Sequence, residues 1–398
     1  MVELQIEKTC GRARAGVLNT VHGQVPTPVF MPVGTAGTVK SVTPEQIKAC
    51  GSRIVLANTY HLMLRPGADV VGALGGLHRL MAWDGPILTD SGGYQVFSLA
   101  EMRKLTPEGV TFRSHIDGSS VLLTPESCMD IQSALGSDII MQLDECPPGQ
   151  APREQVLSAV ERSAAWAARC KQAWQRNEEK NTESASRVEE AFEPVPHSLE
   201  RLCHRQSLFG IQQGGVHVDL RAESARRIVE LDLPGYAIGG LSVGEGHEPM
   251  VAVLDHIDEQ LPKGKPRYLM GVGEPRDILA AVLRGVDMFD CVLPTRNARN
   301  GQAFTWTGRL KLRNAIHARE TLPLDETCPC YTCRNFSRGA LRHYFMASEM
   351  LGPTLLTIHN VAFFAQFVAA IRTAIFAGDL ESKSRAWLDA MYRQESEA

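Results

Sequence analysis

The sequence lacks the long apolar stretches that would place a protein in or across a membrane. No stretch of about 18 residues is both apolar throughout and uncharged. The N-terminal residues MVELQIEKTCGRARAG also contain no apolar signal-peptide core. These two absences predict a cytoplasmic protein without a membrane-spanning segment.

The sequence also has little net charge and no pattern of paired cysteines. A formal net charge of −4 excludes a protein that coats nucleic acid over its whole surface, but it permits a local basic patch. Seven of the ten cysteines are scattered singly along 398 residues, which is typical of reduced thiols. The other three, Cys328, Cys330 and Cys333, form a cluster.

Short apolar runs recur along the chain, and each ends in small or polar residues. The runs are PVFMPVG, RIVLANTYH, PILTDSGGYQ, DIIMQLDE, LFGIQQGG, YAIGGLSVGE, RYLMGVG and VDMFDCVLPTR. Helical patterns lie between them, and Thr43-Pro44 and Thr124-Pro125 are typical helix starts. Eight strands that alternate with helices predict an α/β protein with a (β/α)8 TIM-type barrel. The alternative is a doubly wound open sheet, which should have a glycine-rich phosphate loop after its first strand. The segment VGTAGTV resembles such a loop only weakly.

The same pattern divides the chain into three predicted parts. Residues 1–294 form the barrel, which begins with an antiparallel hairpin lid and carries a polar, solvated insert at about 177–206. Residues 95–123 are interpreted as a hairpin over the barrel mouth, with a turn at Pro107 and Gly109. Residues 295–360 form a basic zinc-binding subdomain, and residues 361–398 form C-terminal helices that pack on the barrel.

The last apolar run contains aspartates and is followed directly by a basic segment. The run contains Asp287 and Asp290, and Thr295-Arg296-Asn297-Ala298-Arg299-Asn300 follows as a predicted loop. In a strand, two residues three positions apart point to opposite faces, so only one carboxylate can face the barrel mouth, and Asp290 is nearer that end. It can act as a nucleophile or base beside Arg296 and Arg299, which can hold phosphates. The alternative is a structural aspartate that caps the turn and pairs with Arg296.

The cysteine cluster predicts a structural metal site. Cys328, Cys330 and Cys333 are followed by His359 in an apolar helical pattern. Three thiolates and one imidazole form the closed tetrahedral shell of structural Zn²⁺. His343 is the competing histidine, and His359 is preferred because an imidazole on an apolar helix face needs a polar partner. The alternative is three reduced cysteines near a turn with a core histidine.

The segment around the cluster is basic and contains aromatic residues. Residues 295–345 contain nine Arg plus Lys against three Asp plus Glu. Aromatic residues among arginines favour a single-stranded RNA loop with splayed bases over a rigid duplex. A solvated charged face is the alternative explanation.

The other strand ends carry groups suited to a flat ligand. Asp90 opens DSGGYQ, Asp144 opens DEC, Gln213 lies in QQGG, and Gly240 lies in GGLSV. Carboxylate, carboxamide and backbone groups beside an apolar wall such as Met270 match the donor and acceptor edges of a purine. For each glycine pair alone, a tight turn is the alternative.

Together these segments resemble the bacterial tRNA-guanine transglycosylase family. The similar segments are PVFMPVGT, DSGGYQVFSL, LDECPP, FGIQQGG, GGLSVGEG, YLMGVG, DMFDCVLPTRNARNGQAF and CPCYTC with its histidine. They cover nearly the whole chain apart from the acidic segment 177–206, whose path the resemblance leaves uncertain. The resemblance implies a zinc-bearing barrel that works as a homodimer. Its implied reaction exchanges guanine at the first anticodon position of tRNA for 7-aminomethyl-7-deazaguanine, on the route to queuosine.

The resemblance also implies individual roles. Asp290 matches the family's nucleophile and Asp90 its general acid/base, and Tyr94 matches the aromatic residue that stacks on the base. The base-recognition positions are matched by Asp144, Gln213, Gly240, Leu241 and Met270, and the positions linked to the bacterial substrate by Cys146 and Val243.

This chemistry agrees with the inventory of residues. A carboxylate can attack the anomeric carbon and leave again, while a second carboxylate moves the proton of the base. A base within a stack could not reach either group, so it must be flipped out of the anticodon loop. A catalytically inactive RNA-binding barrel subunit is the main alternative, and it would not need both Asp90 and Asp290. A metal-dependent hydrolase would need histidines at the strand ends, where only His61 lies.

Overall fold

A computed structural model describes residues 1–99, 103–190 and 205–396. Its centre is a closed barrel of eight parallel strands. With strands numbered in chain order, the barrel consists of β4 (Val29–Gly34), β5 (Val55–Ala57), β6 (Ile87–Thr89), β10 (Ile139–Met141), β11 (Ser207–Gln212), β12 (Gly235–Ile238), β13 (Arg267–Leu269) and β14 (Met288–Cys291). The last strand pairs with the first, with Met288 opposite Val29. The predicted (β/α)8 barrel is confirmed, and the open sheet is excluded.

The remaining strands form three small antiparallel sheets. They are β1 (Glu3–Cys10), β2 (Ala13–Thr20), β3 (Gly23–Thr27), β7 (Arg103–Leu105), β8 (Val110–Arg113), β9 (Ser120–Leu123), β15 (Gln302–Thr305) and β16 (Gly308–Lys311).

The helices lie mainly between the barrel strands and at the C-terminus. They are α1 (Pro44–Ala49), α2 (Thr59–Leu64), α3 (Ala68–Ala73), α4 (Leu77–Met81), α5 (Gly93–Leu99), α6 (Pro125–Leu135), α7 (Arg153–Glu190), α8 (Val218–Val229), α9 (His247–Leu254), α10 (Ile257–Gln260), α11 (Pro275–Val282), α12 (Leu293–Arg299), α13 (Tyr331–Asn335), α14 (Arg338–Met346), α15 (Leu351–Ala377) and α16 (Leu380–Ser396), with a 3-10 turn at Ala315–Arg319. The predicted starts at Thr43 and Thr124 are confirmed, since both hydroxyls accept a backbone N–H of the first helical turn.

The N-terminal segment is a three-stranded sheet, whereas the predicted hairpin has only two strands. It also covers the opposite end of the barrel from the one a lid would cover. Arg14 pairs with Asp287 and His22 with Asp138, and each aspartate directly precedes its barrel strand. The sheet therefore closes the N-terminal end of the barrel, called the base here. The alternation of apolar and polar residues predicts these strands, but it does not predict the end of the barrel against which they pack.

The hairpin expected over the mouth is also a three-stranded sheet. The predicted turn is present, because Thr106 N donates to Gly109 O at 3.0 Å between β7 and β8. A second turn at residues 117–119 then adds β9, where Arg113 pairs with Ser120. Asp117 closes this turn by accepting the N–H of Ser119 at 3.1 Å.

The acidic insert was predicted to be a solvated excursion, and its residues 177–183 are half-buried or exposed but helical. Helix α7 continues through residues 177–190. Glutamate and lysine are good helix formers, so a composition that cannot build a core can still extend a helix that is already nucleated. Asn177 Nδ2 donates to Asp130 Oδ1 at 2.9 Å, which ties the extension to α6. The rest of the insert, residues 191–204, lies outside the described residues.

The long helix α15 contacts both the barrel and the metal-ligand region. Phe364 stacks on Phe30 of β4 with ring centroids 4.5 Å apart, and His359 lies one turn earlier. The helix thus runs through the proposed boundary at residue 360. Contrary to the expectation that the sequence has no such stretch, this helix is long and apolar enough to cross a membrane. However, 72% of its most apolar window is buried inside the fold, as in the core helix of a globular protein.

Candidate active site and metal-ligand cluster

The carboxyl ends of the barrel strands enclose a pocket of about 710 Å³. Barrel enzymes carry their active sites at this end, because the loops after the strands converge there. The predicted site residues that line it are Asp90, Tyr94, Asp144, Cys146, Gln213, Gly240, Leu241, Val243, Met270, Asp290 and Arg296. Sequence positions spread over more than 200 residues are therefore brought to one cavity.

Asp290 lies in β14 with its carboxylate at the mouth. Its Oδ1 accepts the Tyr268 hydroxyl at 2.6 Å and the backbone N–H of Gly271 at 2.7 Å. Burial raises the pKa of Asp290, and these two hydrogen bonds oppose that rise. In the described part of the chain no hydrogen bond reaches Oδ2. One oxygen is thus fixed by hydrogen bonds, and the other accepts none from the described residues.

Asp90 follows β6 directly and is held by three neutral donors. Its Oδ1 accepts Thr59 N at 2.8 Å, and its Oδ2 accepts Asn58 Nδ2 at 2.5 Å and Gln95 Nε2 at 2.8 Å. Burial raises the pKa of Asp90 to about 6, and the nearby negative charge of Asp290 adds to the rise against these three bonds. A carboxyl group with a pKa near neutrality can both give and take a proton.

Asp287 directly precedes β14 and lies at the base of the barrel, whereas the alternation predicted only that it points to a different face from Asp290. It is fully buried, and its two oxygens accept Arg14 Nε at 2.8 Å and Arg14 Nη2 at 2.5 Å. It also accepts the backbone N–H of Arg267 at 2.7 Å. This is a structural ion pair at the base, and its partner is Arg14 rather than the Arg296 that the alternative named.

Asp144 and Gln213 form a buried pair on the wall of the pocket. Gln213 Nε2 donates to Asp144 Oδ2 at 2.6 Å, and Ser91 Oγ donates to Oδ1 at 3.2 Å. Burial raises the pKa of Asp144 to about 6. Gln213 Oε1 is buried without a hydrogen-bond partner among the described residues. An unpaired buried carbonyl is costly, so it marks a position where a ligand N–H is expected.

The backbone of Gly240 passes close to this pair. It has φ +63°, and a Cβ there would lie 2.3 Å from Gln213 Oε1. Only glycine combines this left-handed conformation with room for the amide. The following turn is held by Glu245, whose carboxylate accepts the N–H groups of Ser242 and Val243. Val243 is half-buried and faces the pocket beside Cys146.

The basic segment after Asp290 is a helix rather than the predicted loop. Pro294 lies in the first turn of α12, where its missing N–H costs nothing. Arg296 is exposed and lines the pocket rim. Arg299 is half-buried, its Nη1 donates to Thr295 O at 3.0 Å, and it is not part of the pocket lining. The two arginines therefore differ in how directly they face a ligand.

Three groups of the site were not singled out from the sequence. Asn58 and Gln95 fix Asp90, and Tyr268 fixes Asp290. Gln95 belongs to the DSGGYQ segment, so its closeness to Asp90 in the sequence could have indicated this contact. Tyr268 lies inside an apolar run, where a phenol is not distinguishable from a core aromatic.

The predicted metal ligands are brought together beside the barrel. The Sγ atoms of Cys328, Cys330 and Cys333 and a ring nitrogen of His359 all lie within 4.8 Å of one another. His359 Nδ1 is 3.2 Å from Cys333 Sγ, while its Nε2 donates to Phe304 O at 2.7 Å. That bond fixes the tautomer whose Nδ1 lone pair faces the thiolates. The donor set can hold a metal ion and includes His359 rather than His343.

A (β/α)8 barrel with two buried carboxylates that line one pocket and accept only neutral hydrogen-bond donors has the architecture of an enzyme whose active site lies at the mouth. The family model described as "Queuine tRNA-ribosyltransferase" matches residues 9–393. Curated proteins of that name are similar over most of their length. The protein from Novosphingobium aromaticivorans is 53% identical over 94% of both chains, and that from Pelotomaculum thermopropionicum is 54% identical over 92% of both. The chain belongs to the queuine tRNA-ribosyltransferase family.

Proposed function

We propose that this protein is a tRNA-guanine transglycosylase that exchanges guanine at the first anticodon position for 7-aminomethyl-7-deazaguanine. Family membership makes it a pentosyltransferase that acts on tRNA guanine in queuosine synthesis. The observation that carries the finer proposal is the presence of Asp90 and Asp290 in one pocket with different hydrogen-bond partners.

Asp290 is the proposed nucleophile. Its Oδ1 is held by Tyr268 and Gly271, so Oδ2 is the oxygen directed at the anomeric carbon of the ribose. Attack forms an ester-like C–O bond as the C–N bond to guanine breaks. The incoming base then displaces the carboxylate, and the ribose stays attached to the tRNA throughout.

Asp90 is the proposed acid and base. Its pKa of about 6 leaves a useful fraction protonated near neutral pH. The proton passes to the departing guanine, and the carboxylate then takes a proton from the replacement base. One proton moves in each direction, so the enzyme returns to its starting state.

The pocket wall supplies the proposed recognition of the base. Asp144 can accept N–H groups of the purine edge, and the unpaired amide oxygen of Gln213 can accept another. The backbone of Gly240 and Leu241 lies beside them, and Met270 provides an apolar surface. The ring of Tyr94 is 51% exposed at the mouth, where it can stack on a flipped base.

Arg296 at the rim, with Arg299 behind it, is proposed to hold the phosphates that flank the flipped nucleotide. We propose that the Cys3His cluster holds Zn²⁺, because soft thiolates and one imidazole suit that ion. When bound, the ion cross-links the Cys328–Cys333 segment to α15 and has no open position for catalysis.

We also propose a cytoplasmic homodimer. Apolar side chains are exposed on and near the C-terminal helices, including Tyr331, Met346, Met350, Leu351 and Phe376. A second copy that covers them would remove apolar surface from water. Light scattering with size-exclusion chromatography tests the expected mass of two chains.

The deciding experiment for the activity is guanine exchange. The protein is incubated with unmodified tRNA and radiolabelled guanine, and label is counted in the RNA. Incorporation that needs both Asp90 and Asp290 supports the proposal. Tight tRNA binding with no incorporation by the native protein would instead indicate an RNA-binding barrel subunit without activity.

A further inference from the structure

The base of the barrel contains a second cluster of metal-ligand side chains, remote from the Cys3His cluster. His22, His78 and Asp138 each offer one ligand atom, and these atoms lie within 4.8 Å of one another. His22 is in the turn between β2 and β3, His78 is in α4, and Asp138 directly precedes β10. Three separate elements thus converge on one point.

The contacts differ from those of a simple ion-pair network. His22 Nδ1 lies 2.8 Å from Asp138 Oδ1, while His78 Nε2 lies 3.3 Å from Asp138 Oδ2. Yet His78 Nε2 is buried and makes no bond of hydrogen-bonding geometry with any described residue. An imidazole nitrogen near a carboxylate oxygen, but not directed at it, is the arrangement of two ligands around a shared ion. Ligands of a tetrahedral ion are separated by roughly 3.3 Å, given bonds of about 2.0 to 2.1 Å.

The two rings are also stacked on each other. Their centroids are 3.7 Å apart and their planes differ by 20°. Stacking holds the rings side by side, and one nitrogen of each ring lies near the Asp138 carboxylate. The carboxylate is already oriented, because Asp138 Oδ2 accepts the N–H of Ile87 at 2.9 Å.

The site is accessible from solvent although its carboxylate is buried. The side chains of His22 and His78 are 19% and 16% exposed, and that of Asp138 is 1% exposed. An ion can therefore enter between the imidazoles without opening the barrel.

We propose that His22, His78 and Asp138 form a second divalent-cation site, with Zn²⁺ or a similar transition-metal ion as the ligand class. Two imidazoles and one carboxylate are ligands that Zn²⁺ accepts, and water would fill the fourth position. Binding displaces the proton shared by His22 and Asp138. The ion fastens the N-terminal sheet to α4 and to the start of β10, so its role is structural and independent of base exchange.

The test is the zinc stoichiometry of the full chain. Protein with its Cys3His site loaded is titrated with Zn²⁺ alone, and bound metal is measured after desalting. The native chain should hold two ions, and His78→Ala and His22→Ala should each hold one. His247→Ala is the matched control and should hold two, because His247 pairs with Asp277 at 2.5 Å outside both described clusters.

A spectroscopic readout separates the two sites. In Co²⁺-substituted protein, thiolate charge-transfer bands report the Cys3His site alone, and His78→Ala should leave them unchanged while it removes the second equivalent. Added Zn²⁺ should also raise the Tm of the native chain by about 2 to 4 °C more than that of His78→Ala. A native chain that binds one ion, or a second ion retained by both histidine variants, would overturn the proposal.

Discussion

The two ends of the barrel treat buried carboxylates in opposite ways. At the base, Asp287 is paired with Arg14, and Asp138 lies against His22 and His78. At the mouth, Asp90, Asp144 and Asp290 receive hydrogen bonds from amides, hydroxyls and backbone N–H groups. At the base, buried carboxylates thus lie next to positively charged or ionisable side chains. At the mouth, they receive hydrogen bonds from neutral donors only.

The pKa values follow this difference. Burial raises the pKa of all three mouth carboxyls, and neutral donors offset only part of the rise. For Asp138, burial acts in the same direction, but the adjacent imidazoles of His22 and His78 hold its pKa well below the ordinary value. We expect a buried carboxylate without a cation to react with a ligand or bind it, and one with a cation to be structural. Four predictions test this division.

The largest effect is expected for Asp290→Ala. Loss of the nucleophile should reduce exchange by at least about 10⁴-fold, while tRNA binding persists through phosphate contacts. The measurement is a denaturing gel of enzyme, tRNA and a trapping deazaguanine, followed by mass spectrometry of the linked peptide. An adduct that persists in this variant, or that maps to Asp90 or Asp287 in the native enzyme, contradicts the assignment.

Asp287→Ala should give the opposite result, three positions away in the same segment. It leaves the buried guanidinium of Arg14 without its carboxylate, so the free energy of unfolding should fall by about 3 to 5 kcal/mol. Exchange per folded molecule should stay near the native value. Chemical denaturation and active-site titration measure the two quantities. If Asp287→Ala kept native stability but lost exchange, Asp287 would have a role in the reaction. The division between structural carboxylates at the base and reactive ones at the mouth would then be wrong.

Asp90→Asn should lose exchange but gain stability. The native pKa of about 6 lies above the ordinary value of 3.8, so the folded state binds the proton more tightly than the unfolded state. Native stability therefore falls as pH rises from about 4 through 6, by on the order of 2 kcal/mol from this group. The variant should be more stable than the native enzyme at pH 7, and this advantage should shrink toward pH 4. Urea titrations at several pH values measure it, and an advantage that grows on acidification would contradict the sign.

The smallest effect is expected for Val243→Gly in the mouth turn. Removing the branched side chain opens space beside Cys146, so use of the bulkier base queuine should improve about tenfold relative to the aminomethyl base. Stability should change by less than about 1 kcal/mol, because Val243 is only half-buried. Competition between the two bases is the measurement. A native enzyme that already takes both bases equally well would remove the steric argument.

The sequence predicts the mouth better than the base for a physical reason. A strand that ends in Asp90 or Asp290 carries a polar residue where an apolar run stops, and barrel topology collects such ends at one face. Arg14 and His22 lie in a segment whose alternation fixes its strands but not its partner. Their aspartates are more than 100 residues away, and nothing local indicates the contact.

Partners that hold a catalytic group are similarly hard to predict. Tyr268 has the appearance of a core residue, since its ring is buried and only its hydroxyl reaches Asp290. The extension of α7 was missed because an acidic composition excludes a core but does not exclude a helix. The metal-ligand cluster was predictable since spacing and donor type define the three cysteines, and the apolar helix pattern around His359 distinguishes it from His343.

The closure of the barrel determines when its first strand can complete its pairing during synthesis on the ribosome. Asp290 pairs with Met31 of the first barrel strand, and Arg372 Nη1 in α15 donates to Gly16 O at 2.6 Å and to Thr27 O at 2.7 Å. The earliest and latest segments of the chain are therefore neighbours, and pairing them requires closing loops of hundreds of residues. A nascent chain keeps one edge of its first barrel strand unpaired until β14 has emerged. Chaperone demand should consequently be greatest before that point, and a truncation before β14 should release a barrel that cannot close.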